Sequence, residues 1–129
     1  MKVELDPKYC MAVQSRDTGR ILLQHIDNVW CFAPQIPYDN DTAMLFALVS
    51  SVTNLLGLSE EQADDLRFEF IGLFDGTSLF HATLDGEPMP MDDNVAWYSL
   101  FDFPENFDSS TDAIFNDQVF MERLVSPAY

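Results

Sequence analysis

Carboxylates dominate the side chains that could do chemistry. Asp39 and Asp41 precede a long apolar stretch, and Glu60, Glu61, Asp64 and Asp65 follow it. Acids at both ends of one helix can build a site for Mg²⁺ or Mn²⁺, hard ions that take oxygen ligands. The plainer alternative is that they cap helices and face water, the usual place of Asp and Glu. Asp92 and Asp93 form a further acidic pair, within a turn. His25 and His81 are the two histidines, each alone in a strand-like segment. A zinc site needs three or four ligands, so packed or edge roles suit them better. Cys10 and Cys31 have no basic neighbour to lower a thiol pKa and read as core residues. There is no G-x-S-x-G elbow and no phosphate loop.

Charge narrows the partners. The 129 residues carry 22 Asp and Glu against 6 Lys and Arg, a formal net charge of -16. The cations are Lys2, Lys8, Arg16, Arg20, Arg67 and Arg123. Nucleic-acid backbones are gripped through Lys and Arg, so direct binding of DNA or RNA is not expected. Anionic membranes would repel such a surface as well. The balance suits solubility, diffuse binding of divalent cations or a basic protein partner. The run "YSLFDFPENFDSSTDAIFND" (98–117) interleaves Phe with acids. Asp102, Glu105, Asp108 and Asp112 are its candidate interaction surface, with aromatic anchors ringed by negative charge. One form of that surface would mimic nucleic acid towards a basic protein and inhibit it, which would suit a viral or phage gene. The alternative is a loop whose Phe side chains plug the core.

Two cysteines in a chain of this size make no disulfide framework. The start, "MKVELDPKYC", lacks a signal peptide's apolar centre. The longest apolar run, Ala43 to Val49, is too short to span a bilayer. A cytoplasmic protein with reduced thiols is expected.

The elements that must hold these residues follow from periodicity and punctuation. Strands are expected over 8–15, 21–26 and 29–32, the first two joined by the turn "RDTGR" and the third stopped by Pro34 and Pro37. The loop "PQIPYDND" leads to a helix over 42–56, capped by Asn40 or Asp41 and ended by Gly57. That helix is apolar on most sides, so it must be sandwiched in the fold, covered by a partner or paired with a second subunit. "SEEQ" (59–62) fits a capping box for a short helix over 60–66. Strands over 67–74, 77–84 and 95–100 and a helix over 112–124 complete the chain. This order predicts one α+β domain over 1–129, with a mixed sheet between helices.

The order and its landmarks resemble the Nudix hydrolase domain. "AVQSRDTGRILLQH" is similar to that family's first hairpin, "WCFAPQI" to its W-x-x-P-G-G, and "LLGL" to the end of the Nudix box. "DDNVAWYSLFDFPE" is similar to its late strand and turn. The resemblance implies an α/β/α sandwich with a mixed central sheet. It also implies where catalysis should sit. The family's box reads G-x5-E-x7-R-E-U-x-E-E-x-G-U, and its carboxylates hold the metal that activates water. Anchored on Gly57 and Leu58, the opening glycine falls on Ile36 and the first glutamate on Thr42, or on Asp41 if the loop is one residue shorter. The R-E pair falls on Ser50 and Ser51, and the E-E pair on Asn54 and Leu55. None of Ser50, Ser51, Asn54 and Leu55 carries charge. The resemblance therefore implies a Nudix-like frame without its metal chemistry, needing no cofactor and acting as a binding or regulatory module. Its inherited cleft would be lined by Trp30, Tyr38, Asp41, Ser51, Asn54 and Trp97 and would suit a nucleotide-like ligand. The competing expectation is a divergent hydrolase of nucleoside diphosphate derivatives, using Mg²⁺ or Mn²⁺ on the displaced acids.

Overall fold

The computed structural model describes residues 8–26, 28–33, 35–37, 44–74, 77–100, 102–104, 106–107 and 109–125. The strands are β1 (Lys8–Ser15), β2 (Ile21–Ile26), β3 (Val29–Phe32), β4 (Gln35–Pro37), β5 (Arg67–Phe74), β6 (Thr77–Leu84) and β7 (Val95–Tyr98). The helices are α1 (Met44–Leu56), α2 (Glu60–Asp64), α3 (Ser109–Phe115) and α4 (Gln118–Val125).

All the strands join one mixed sheet. Its main order is β3-β2-β1-β6-β5, with β4 beside β1 and β7 beside β2. β1 and β6 run parallel over their full lengths, from Lys8↔Thr77 to Ser15↔Leu84; the other pairings are antiparallel. Parallel central strands are covered on both faces and therefore read as unbroken apolar runs. β1 behaves this way. Met11 and Val13 enter one core cluster, and Cys10 and Ala12 enter the other.

α1 covers the first face. Leu48, Val52 and Leu56, spaced one turn apart, are buried there against Met11, Val13, Leu22 and Phe80. Burying each such side chain contributes about 1.5–3 kcal/mol. The helix stops where Gly57 takes φ 57° and the Leu58 N–H reaches back to the Thr53 carbonyl at 3.0 Å. That bond closes a Schellman turn, and Leu58 follows it into the core. α1 thus packs on the sheet through this ridge, with Val49 and Leu55 partly buried beside it, while Phe46 on it is 74% exposed.

The second face is covered by α3 and α4 through Ile114, Phe120 and Leu124. Here the expected single helix over 112–124 is corrected to two. Asp117 breaks it: its Oδ1 accepts the Phe120 N–H at 2.9 Å, capping α4 as a new helix. Two smaller corrections concern strands. Gln35–Pro37, expected as loop, pairs antiparallel with Lys8–Cys10, and the expected strand over 95–100 ends at Tyr98. Pro37 is tolerated because it closes its strand. The capping box of α2 forms as expected, with Gln62 N–H on Ser59 Oγ at 3.2 Å and Ser59 N–H on Gln62 Oε1 at 2.9 Å.

One buried polar knot ties α4 to the sheet. Gln14 Nε2 donates to the Leu124 carbonyl at 2.7 Å and to the Gly19 carbonyl at 3.0 Å, while Gln14 Oε1 lies 2.9 Å from His81 Nε2. Both side chains are buried. Among the described residues, no helix is long and apolar enough to cross a membrane.

Candidate functional site

The face of α1 turned from the core carries a polar patch. Ser50 and Ser51 are half-buried and Asn54 is exposed. Leu55 is half-buried and packs on the first core cluster beside Val49 and Trp97. The connection over 85–94 then crosses the end of this helix. The Met91 N–H donates to the Leu55 carbonyl at 2.7 Å, and the Trp97 Nε1–H donates to the Pro88 carbonyl at 2.9 Å. A Cβ on Gly57 would stand 3.1 Å from Met91 Sδ. Ser51, Asn54 and Trp97 are therefore all on or beside the α1 side of the sheet.

Trp30 is not brought to them. It belongs with the second core cluster, on the other face. Its ring lies 4.9 Å from the His25 ring and 5.0 Å, edge-on, from the Tyr98 ring. The Trp30 backbone N–H donates to the Asn106 carbonyl at 2.8 Å. The cross-strand pairs explain the split: Trp30 sits opposite His25, whereas Trp97 sits opposite Leu22, of the other parity along β2. Ile36 lies in β4, paired with Tyr9. Asp39 and the expected site residues Tyr38, Asp41 and Thr42 lie outside the described residues.

The aromatic and acidic run divides as well. Phe103, Phe107 and Phe115 are half-buried against the second cluster, with ring centroids 4.4, 5.0 and 5.7 Å apart, so these rings plug the core. Asp102 and Asp112 are exposed around them. Glu105 and Asp108 lie outside the described residues. Asp92 and Asp93 are exposed.

A polar constellation that the sequence reading missed is centred on Arg16. Its Nε donates to Asp85 Oδ1 and its Nη2 to Asp65 Oδ2, both at 2.8 Å. The hydrogen bond from Arg16, followed by its charge, holds the Asp85 carboxyl below the usual carboxylate range. The Asp85 hydrogen bond in turn raises the Arg16 guanidinium, outweighing desolvation. Beside them Glu61, Gln62, Asp65, Leu84 and Asp85 line a cleft of about 330 Å³. No motif joins Arg16, Asp65 and Asp85, which are far apart in the chain. The pairing of Ser15 with Leu84 across β1 and β6 brings them together. Among the described residues, no three His, Cys, Asp or Glu side chains are arranged to hold a metal ion.

Solved structures share this arrangement of sheet and helices. The C-terminal domain of mouse MUTYH, in complex with human PCNA, superposes with a TM-score of 0.64, at 13% identity, over 98% of this chain and 92% of that one. The Nudix hydrolase RenU of M. smegmatis superposes at 0.61, with 17% identity, over 96% of this chain and 88% of that one. The chain has the Nudix hydrolase fold. An ADP-ribose pyrophosphatase of Streptococcus suis extends the likeness, at TM-score 0.57 and 16% identity, over 95% of this chain and 96% of that one. No protein-family model and no curated protein matches the sequence.

Proposed function

We propose that this chain is a binding or regulatory module built on the Nudix fold, not a metal-dependent diphosphohydrolase. One observation carries this: the α1 positions that match the box glutamates present no carboxylate, and one of them is packed away. Leu55 lies against the core, with its carbonyl already accepting the Met91 N–H. Ser50, Ser51 and Asn54 offer neutral oxygens, poor compensation for a divalent ion that prefers carboxylates. This donor set does not fit Mg²⁺ or Mn²⁺.

Ser51 and Asn54 on α1, with Trp97 on the same side of the sheet, suit a small ligand with hydrogen-bonding groups and a flat ring. A nucleotide-like molecule has both, and the likeness to an ADP-ribose pyrophosphatase supports that class. The exposed acids Asp102 and Asp112 suit a basic protein. The MUTYH domain with PCNA on it supports the use of this fold in protein recognition.

Product release from a panel of nucleoside diphosphate derivatives, with Mg²⁺ and with Mn²⁺, tests the proposal. No turnover above the protein-free rate is expected, while calorimetric titration of the same nucleotides gives binding that Asn54→Ala weakens. Metal-dependent turnover that survives Ser51→Ala and Asn54→Ala but is lost on substituting Asp39, Asp41 or Glu61 would overturn it in favour of a divergent hydrolase.

A further inference from the structure

β5 ends the sheet and, among the described residues, pairs with β6 alone. Alternate residues of an edge strand turn N–H and C=O groups outward, where another strand can take them. Proteins commonly blunt such edges with bulges, lysines or prolines. In β5 the bulge falls between Phe70 and Gly72, which leaves Arg67–Phe70 regular. The strand also carries a row of uncovered apolar side chains. Phe68 is 40% exposed, Phe70 58% and Leu73 69%. Phe68 sits opposite Ala82 and Phe70 opposite Phe80, both in the α1-side cluster, so these two share one face of the sheet. Leu73 sits opposite Ser78, which has the same parity along β6 and continues the row. An open edge bearing such a row has the character of an interaction surface.

The charges beside the row select the occupant. Arg67 and Glu69 bracket Phe68 and are both exposed. Two copies of β5 running antiparallel about a two-fold axis at Phe68 would place Arg67 of each opposite Glu69 of the other. The neighbouring registers of the same kind, centred on Arg67 or on Glu69, would oppose two arginines or two glutamates. Opposite charges directly across an antiparallel pair stabilise it and like charges destabilise it. A two-fold interface must be self-complementary, and this short segment is. Glu69 is also engaged within its own chain, and a carboxylate has lone pairs for more than one donor. The net charge of -16 opposes assembly at a distance. Screening confines that repulsion to about 8 Å at physiological salt, so the charges at the contact decide.

We propose that β5 is a dimerisation edge, to which a second copy of this chain adds its own β5, antiparallel and centred on Phe68. This stands apart from the fate of the cleft on α1. Sedimentation velocity at physiological salt and micromolar concentration tests it, with a species of twice 14.7 kDa expected. Arg67→Glu and Glu69→Arg should each return the protein to the monomer, and an equimolar mixture of the two should restore the dimer. Phe68→Cys in the otherwise natural chain should cross-link under mild oxidation, since Cys10 and Cys31 are buried. Circular dichroism melts matching the natural protein confirm that each variant is folded. A natural protein that stays monomeric overturns the proposal. So does a dimer that neither charge reversal weakens and that Phe68→Cys does not cross-link, because its interface then lies elsewhere.

Discussion

Gly57 meets two demands at one Cα. Its φ of 57° is a conformation other residues enter at a cost, and Met91 Sδ occupies the place beside its missing Cβ. Gly57→Ala should therefore destabilise the fold by about 1–2 kcal/mol, the usual penalty of left-handed backbone for a residue with a Cβ. A urea unfolding series measures it, and a midpoint unchanged from the natural protein would contradict the account. At the same scale, Arg16 sets the titration of Asp85. The folded Asp85 pKa lies below its unfolded value, so the stabilisation is present above the unfolded pKa and fades as pH falls through the folded one. Arg16→Ala should raise the Asp85 pKa towards the ordinary carboxylate value, as followed by carboxyl carbon shifts against pH. Asp85 is open to solvent, so the shift matters more as a reporter of the Arg16 contact than as a source of stability.

At the scale of elements, the cover of the second sheet face depends on a break. α3 ends at Phe115, and Asp117 starts α4 by capping it. Asp117→Ala removes the acceptor for the Phe120 N–H and should cost about 0.5–2 kcal/mol, as loss of an N-cap does. Hydrogen exchange should then quicken in Gln118–Val125 more than in α1; uniform protection across both helices would show that the cap is dispensable. This is also where periodicity failed. Ile114, Phe115, Val119, Phe120 and Leu124 keep an apolar pattern compatible with one helix. The Asn-Asp pair at 116–117 is a turn signal that the pattern obscured. Local rules did better where the partners are near in sequence. The capping box at Ser59–Gln62 and the stop at Gly57 need only a few consecutive residues, and both formed.

At the scale of the molecule, 22 acids share one small surface with 6 bases. Self-repulsion of that size destabilises the compact state, and salt screens it. Raising ionic strength from about 0.01 M, where the screening length is about 30 Å, to about 0.15 M should raise the melting temperature. A lower melting temperature at the higher salt would mean that attractive pairs such as Arg16 with Asp65 and Asp85 outweigh the net repulsion. The first three strands, the capped α2 and the apolar ridge of α1 were legible in the sequence, because each rests on residue type and short spacing. Other features were decided only by the tertiary structure. Pairing within the sheet sent Trp30 and Trp97 to opposite faces, folded Phe103 and Phe107 onto the core, and gathered Arg16, Asp65 and Asp85. Those outcomes depend on strand register and on parallel neighbours distant in the chain, which local composition and periodicity do not encode.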